Sequence, residues 1–131
     1  MASTSIKRMN ILIVDDSGVM RRIHKNILIE YGVEESDIIE AEDGKFALDY
    51  SMAKPIGLFL VDWNMPRMNG LDFVRKLRAM EAYRTTPIIM ITSEAARYNV
   101  VEAIQAGVTN YIVKPIKGKA LFEKIGKYLQ A

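Results

Sequence analysis

Cysteine is absent from this chain, and histidine occurs once. Disulfides and thiolate metal sites are therefore excluded, which suits a reducing, cytoplasmic setting. His24 has no second histidine or cysteine to share a metal with and falls inside a helical pattern, so it is expected at the surface or boundary, neither ligand nor base. No apolar stretch approaches the roughly 20 residues that span a bilayer, and residues 1–10 lack the apolar core of a signal peptide. No membrane role is expected. The net charge of +2 is small, and Lys and Arg are scattered with no basic helix to read bases, so no nucleic-acid partner is expected either. Neither Gly-x-x-x-x-Gly-Lys nor Gly-x-Gly-x-x-Gly occurs, which disfavours nucleotide and flavin sites. No linker rich in Pro, Gly or Ser divides the 131 residues, and no repeat is visible. The expectation is one domain over residues 1–131, with a short disordered or extended tail at about 1–8.

What is present is a set of strongly apolar runs that end on chemically able residues. Ile11-Leu12-Ile13-Val14 runs into Asp15-Asp16, and Gly57-Leu58-Phe59-Leu60-Val61 into Asp62. Ile88-Ile89-Met90-Ile91 runs into Thr92-Ser93, and Tyr111-Ile112-Val113 into Lys114-Pro115. Continuous runs of β-branched and aliphatic residues suit strands buried on both faces, as in a parallel sheet. A weaker strand candidate lies at Ile38-Ile39.

Helical spacing fills the gaps. Residues 17–31 place Met20, Ile23, Ile27 and Tyr31 on one stripe, opened by Ser17 as a cap and closed by Gly32. A helix near 44–53 carries Phe46-Ala47-Leu48, and Asn69-Gly70 breaks the chain before a stripe of Leu71, Val74 and Leu77. Residues 94–106 form a helix with Val101 and Ile104 inward, and Leu121, Ile125 and Leu129 mark the last. Strands alternating with helices predict an α/β fold: a (βα)5 flavodoxin-like, doubly wound parallel sheet with strand order 2-1-3-4-5. Ligands in such sheets bind beyond the carboxyl ends of the strands, where Asp15, Asp16 and Asp62 would meet.

Three carboxylates in one place repel: at about 4 Å and an effective dielectric near 20, each pair costs on the order of 4 kcal/mol. A cation relieves that repulsion, and a hard one with oxygen ligands beside a phosphate is Mg²⁺. A carboxylate can also attack phosphorus, and the transferred group then needs its oxygens neutralised. Asp15 and Asp16 could hold the metal, Asp62 could attack, Lys114 could pair with one oxygen and Thr92 could donate to another. Taken singly, each has a plainer reading as a turn, a cap or a solvated side chain. The combination at the ends of consecutive buried runs is what points to phosphoryl transfer.

Leu12-Ile13-Val14-Asp15-Asp16, Val61-Asp62-Trp63-Asn64-Met65-Pro66, Asn69-Gly70, Ile91-Thr92-Ser93-Glu94, Ala106-Gly107 and Tyr111-Ile112-Val113-Lys114-Pro115 occur in that order. As an ordered set they resemble the receiver domain of two-component response regulators, above all its single-domain chemotaxis members. The resemblance implies that Asp62 accepts a phosphoryl group from a phosphohistidine on a sensor histidine kinase. It implies that Asp16, Asp62 and the main-chain carbonyl of Asn64 ligate Mg²⁺, with Asp15 acting through a bound water. Thr92 and Lys114 would contact the phosphoryl group, and Thr92 and Tyr111 would form the switch. Arg97, Val100, Tyr111, Lys124 and Lys127 would lie on the partner face, and the Lys114-Pro115 bond would be cis. Asn64 and Glu94 fall where the family tunes dephosphorylation. Ser93, slightly larger than the residue often found there, and Arg67, after Met65-Pro66, are departures.

These implications describe a stand-alone switch acting on a downstream protein, with the flagellar motor switch as the candidate target, and a monomer before phosphorylation. A phosphorelay carrier that passes its phosphoryl group to a second histidine domain is the alternative within the fold. A Mg²⁺-dependent phosphatase with an aspartyl intermediate is the alternative of another class. That class resembles the haloacid dehalogenase folds, whose nucleophile is followed two residues later by a second Asp, where this chain has Asn64.

Overall fold

The computed structural model describes residues 6–93 and 97–130, the side chains of 97–99 excepted. Five strands, β1 (Ile11–Val14), β2 (Ile38–Ala41), β3 (Leu58–Asp62), β4 (Ile88–Thr92) and β5 (Asn110–Val113), alternate with five helices. The helices are α1 (Gly18–Glu30), α2 (Gly44–Ala53), α3 (Gly70–Arg78), α4 (Arg97–Ala106) and α5 (Gly118–Leu129). All strand pairs are parallel, in the order β2-β1-β3-β4-β5. The apolar runs set this arrangement. β1, β3 and β4 are buried at every position, whereas the edge strands β2 and β5 are partly exposed.

Alternate residues of the inner strands feed two cores. Leu12, Val14, Phe59, Val61 and Met90 pack with Ala47 of α2, Phe73, Val74 and Leu77 of α3, and Ala103 of α4. Ile11, Ile13, Leu58, Leu60, Ile89 and Ile91 pack with Leu28 of α1 and with Leu121, Ile125 and Leu129 of α5. Each of the larger apolar side chains among them, taken out of water, contributes roughly 1.5–3 kcal/mol.

Local signals set the helix boundaries. The Ser17 side chain accepts from the Met20 N–H, Asp43 from Phe46 and Asn69 from Asp72, capping α1, α2 and α3. Gly32 and Gly107, both at positive φ, follow α1 and α4. The N-terminal segment is tied down where it is described. Ile6 bridges to Gln130, Lys7 N–H donates to the Leu129 carbonyl at 2.6 Å, and Arg8 pairs with Asp37. No helix among the described residues is long and apolar enough to cross a membrane.

Three expectations about facing are corrected. In α1 the buried positions are His24 and Leu28, and Ile23 is 41% exposed. The inward stripe is turned by about one residue, because Leu28 and the residue one turn before it are what face the sheet. His24 is thus fully buried, not at the surface. In α4, Val101 and Ile104 point outward, and the small Ala103 lets the helix lie against the sheet. The part of the expected helix over 94–96 lies outside the described residues.

Candidate functional site

Strand register brings the acidic residues together. Val14 pairs with Val61, so Asp15, one step past the end of β1, is level with Asp62 at the end of β3. Asp62 pairs with Ile91 and Thr92 with Val113, which carries Thr92 and Lys114 to the same carboxyl edge. The backbone continues these ladders: Asp15 N–H donates to Ala41 at 3.1 Å, Trp63 to Ile91 at 3.0 Å and Lys114 to Thr92 at 2.7 Å. The turn after β5 holds a cis Lys114–Pro115 peptide, as the resemblance implied.

One carboxylate oxygen from each of Asp15, Asp16 and Asp62 lies within 4.8 Å of the others. Asp15 and Asp62 are buried and Asp16 is exposed, so the cluster opens to solvent on one side. Lys114 Nζ stands 3.0 Å from Asp62 Oδ1 and 3.5 Å from Asp15 Oδ2. Asp15 Oδ1 accepts from the Ser17 N–H at 2.9 Å, while its buried Oδ2 has no closer partner than that ammonium. The donor set is therefore three clustered hard oxygens, which fits a small divalent cation.

Burial pushes the Asp62 carboxyl above the usual range, and the charges of Asp15 and Asp16 add to that, against the pull of Lys114. For Lys114, burial opposes the charged form, but the hydrogen bond to Asp62 and the charges of Asp15 and Asp62 outweigh it, and its pKa is raised. The ammonium stays charged and partly neutralises a site that a cation would neutralise further.

The other expected residues are placed as follows. Thr92 is buried at the end of β4. Asn64 is exposed in the loop after Asp62, between half-buried Trp63 and buried Met65. Tyr111 is half-buried on β5, with Lys124 Nζ 5.9 Å from its ring centre and 3.4 Å from Asn110 Oδ1. Val100 is half-buried, Lys127 is exposed with its Nζ 5.1 Å from the Tyr128 ring, and Arg97 opens α4. Glu94 lies outside the described residues.

Three supports escaped the sequence reading. Arg21 donates from Nη1 to the Asp15 carbonyl at 2.7 Å and from Nε to Glu40 at 3.0 Å, bracing the chain where β1 meets α1. The Ser17 N–H holds Asp15, a contact that the cap signal at Ser17 could have suggested. Gly70 is required by proximity: a Cβ there would lie 2.2 Å from the Asp62 carbonyl oxygen. Its N–H donates to the Trp63 carbonyl at 2.8 Å, closing the loop that carries Asn64.

The flavodoxin-like sheet thus sets an acidic triad, with the Lys114 ammonium beside it, at the carboxyl edge where such sheets bind their ligands. The family model of the response regulator receiver domain matches residues 11–126, and the chain belongs to that family. The CheY homolog of Campylobacter jejuni strain 81-176 is 47% identical over 118 residues, 89% of each chain. Chemotaxis protein CheY1 of Helicobacter pylori strain J99 is 48% identical over 118 residues, 89% of this chain and 94% of that one. Among solved structures, Vibrio cholerae CheY4 has a TM-score of 0.86 at 31% identity, covering 94% of this chain and 100% of that one. The receiver domain of the sensor histidine kinase PA1611 from Pseudomonas aeruginosa, solved with magnesium in its active-site cleft, has a TM-score of 0.82 at 26% identity. It covers 93% of this chain and 98% of that one. The protein is accordingly a CheY-like response regulator receiver domain of the two-component type.

Proposed function

We propose that the chain is a stand-alone response regulator, a single receiver domain over residues 1–131 that works in the cytoplasm. Asp62 accepts a phosphoryl group from a histidine of a sensor kinase. A carboxylate oxygen of Asp62 attacks phosphorus, the bond to the imidazole nitrogen breaks, and that nitrogen leaves with the electron pair. Lys114 pairs with one phosphoryl oxygen, and the Thr92 hydroxyl donates to another. Asp15, Asp16, Asp62 and the main-chain carbonyl of Asn64 would hold Mg²⁺. The ion's contribution there is to neutralise charge on the carboxylates and the phosphoryl oxygens.

The observation that carries this reading is the meeting of the three carboxylates within 4.8 Å, with Lys114 Nζ 3.0 Å from Asp62. The magnesium in the cleft of the PA1611 receiver domain supports the choice of ion. Movement of Thr92 toward the phosphoryl group would let Tyr111 turn inward and remodel the face carrying Arg97, Val100, Tyr111, Lys124 and Lys127. A downstream protein, with the flagellar motor switch as the candidate, must bind the phosphorylated form more tightly for a signal to pass. Asn64 and Glu94 set how fast water removes the phosphoryl group. The domain acts on its own phosphorylation state and turns over no other substrate, and it is monomeric before phosphorylation.

The test is labelling with acetyl phosphate and Mg²⁺. One labile phosphoryl group per chain is expected, and none in Asp62→Asn. Undiminished labelling of that variant would remove Asp62 from its role.

A further inference from the structure

Arg67 is a non-glycine residue with φ 65, in the left-handed region that L side chains occupy only when their surroundings hold them there. Those surroundings are the start of α2. The Arg67 guanidinium forms an ion pair with the fully buried Asp43, lies 3.9 Å from Glu42 and sits 5.7 Å from the centre of the Phe46 ring. Asp43 is itself the cap of α2, its Oδ1 accepting from the Phe46 N–H at 2.9 Å. The next residue, Met68, covers Gly44 so closely that a Cβ there would lie 2.9 Å from its Sδ and Cγ. Two consecutive loop residues thus grip both the charge and the bare backbone at one helix start. Burial works against the Asp43 carboxylate, yet the Phe46 N–H and Arg67 together keep its pKa below the usual range.

Residues 63–69 are also the loop that leaves Asp62 and carries Asn64. One side of the loop is pinned by the Gly70 N–H to Trp63 bond at 2.8 Å and by buried Met65. The other side is pinned by Arg67 and Met68 on α2.

We propose that Arg67 is a positioning residue for the acidic site: by latching residues 63–69 to α2, it fixes the main chain at Asn64 and so sets the site's affinity for a divalent cation. The proposal rests on the phosphoacceptor reading given above and adds to it a residue that touches neither ion nor phosphoryl group.

The latch and simple charge predict opposite signs. Arg67 carries a positive charge on the loop that leaves Asp62, so by charge alone its removal would tighten Mg²⁺ binding. If the latch governs, removal loosens it. The experiment is Mg²⁺ titration of the full chain, followed by Trp63 fluorescence, with urea midpoints to verify folding. Arg67→Gly, which accepts the backbone angle, is expected to bind Mg²⁺ roughly tenfold more weakly, at the lower end of losses seen when a partner behind metal ligands is removed. Asp43→Asn, which keeps the cap acceptor, should lose a similar factor. The double variant should be no worse than either single one, because both break the same contact. Arg67→Lys should recover part of the loss. Unchanged or tighter binding in Arg67→Gly, or additive losses in the double variant, would overturn the latch. Failure of the wild-type protein to bind Mg²⁺ would overturn the phosphoacceptor reading along with it.

Discussion

Lys114 and Asp62 face each other at 3.0 Å across the carboxyl edge of the sheet, although β4 lies between the strands that carry them. That one ammonium is set against three carboxylates, so among the described residues the cluster keeps negative charge in excess. The domain without metal is therefore destabilised by its own site. Asp16→Asn, which removes a solvent-facing charge while leaving both buried carboxylates in place, is expected to raise stability by about 1 kcal/mol at low salt. Mg²⁺ should raise the urea midpoint of the wild-type protein and leave that of the variant almost unchanged. Equal responses to Mg²⁺ in the two proteins would show that Asp16 takes no part in holding the ion.

The parts of this arrangement that depend on chain order were legible from the residues. β1, β3 and β4 are unbroken apolar runs because both of their faces are covered, and Asp15, Asp62 and Thr92 follow those runs directly. What a helix turns inward was less legible. Apolar character at Ile23, Val101 and Ile104 does not distinguish a core contact from an exposed patch, and a small inward residue such as Ala103 carries no signal of its own. Contacts between distant segments left the weakest trace. Arg21 on Glu40 and Arg67 on Asp43 join side chains 19 and 24 positions apart, and nothing local in the sequence marks either pair.

Gly70 sets how closely α3 can begin behind β3, the strand that ends on Asp62. In Gly70→Ala the new methyl would have to displace the Asp62 carbonyl, which is backbone and cannot swing aside. A destabilisation at the upper end of the roughly 1–3 kcal/mol seen for overpacking is expected, measured by urea unfolding. Because the shift falls on Asp62 itself, Mg²⁺ binding should weaken as well. A variant with wild-type stability and wild-type Mg²⁺ affinity would mean that the approach relaxes without effect on the site.

Tyr111 sits on an edge strand, half-buried beside the Lys124 ammonium, and is not among the groups that meet at the acidic cluster. Tyr111→Ala is expected to leave acetyl phosphate labelling intact while reducing the difference in partner affinity between the phosphorylated and unphosphorylated forms. The measurement is a pull-down with beryllofluoride-loaded and free protein. A partner that distinguishes the two forms as sharply in the variant as in the wild type would argue against a switching role for this ring.

His24 is fully buried on α1, and neither ring nitrogen has a hydrogen-bond partner among the described residues. Burial, with a smaller contribution from the Lys114 charge, lowers its pKa from 6.5 to about 4. The unfolded chain protonates this imidazole near its ordinary value, whereas the folded protein keeps it neutral well below that. Between pH 6.5 and 4 the unfolded state therefore binds the extra proton, and stability falls as the pH is lowered through that window. At about 1.4 kcal/mol per pH unit, the loss approaches roughly 3 kcal/mol at the acid end. Asp62, with its raised carboxyl pKa, acts in the opposite direction, so the wild-type profile alone mixes the two effects. Comparison with His24→Leu separates them. The variant should lose markedly less stability than the wild type between pH 6.5 and 4.5 in urea titrations, because the leucine has no proton to gain on unfolding. Parallel profiles for the two proteins would mean that the buried imidazole finds a way to accept its proton in the folded state.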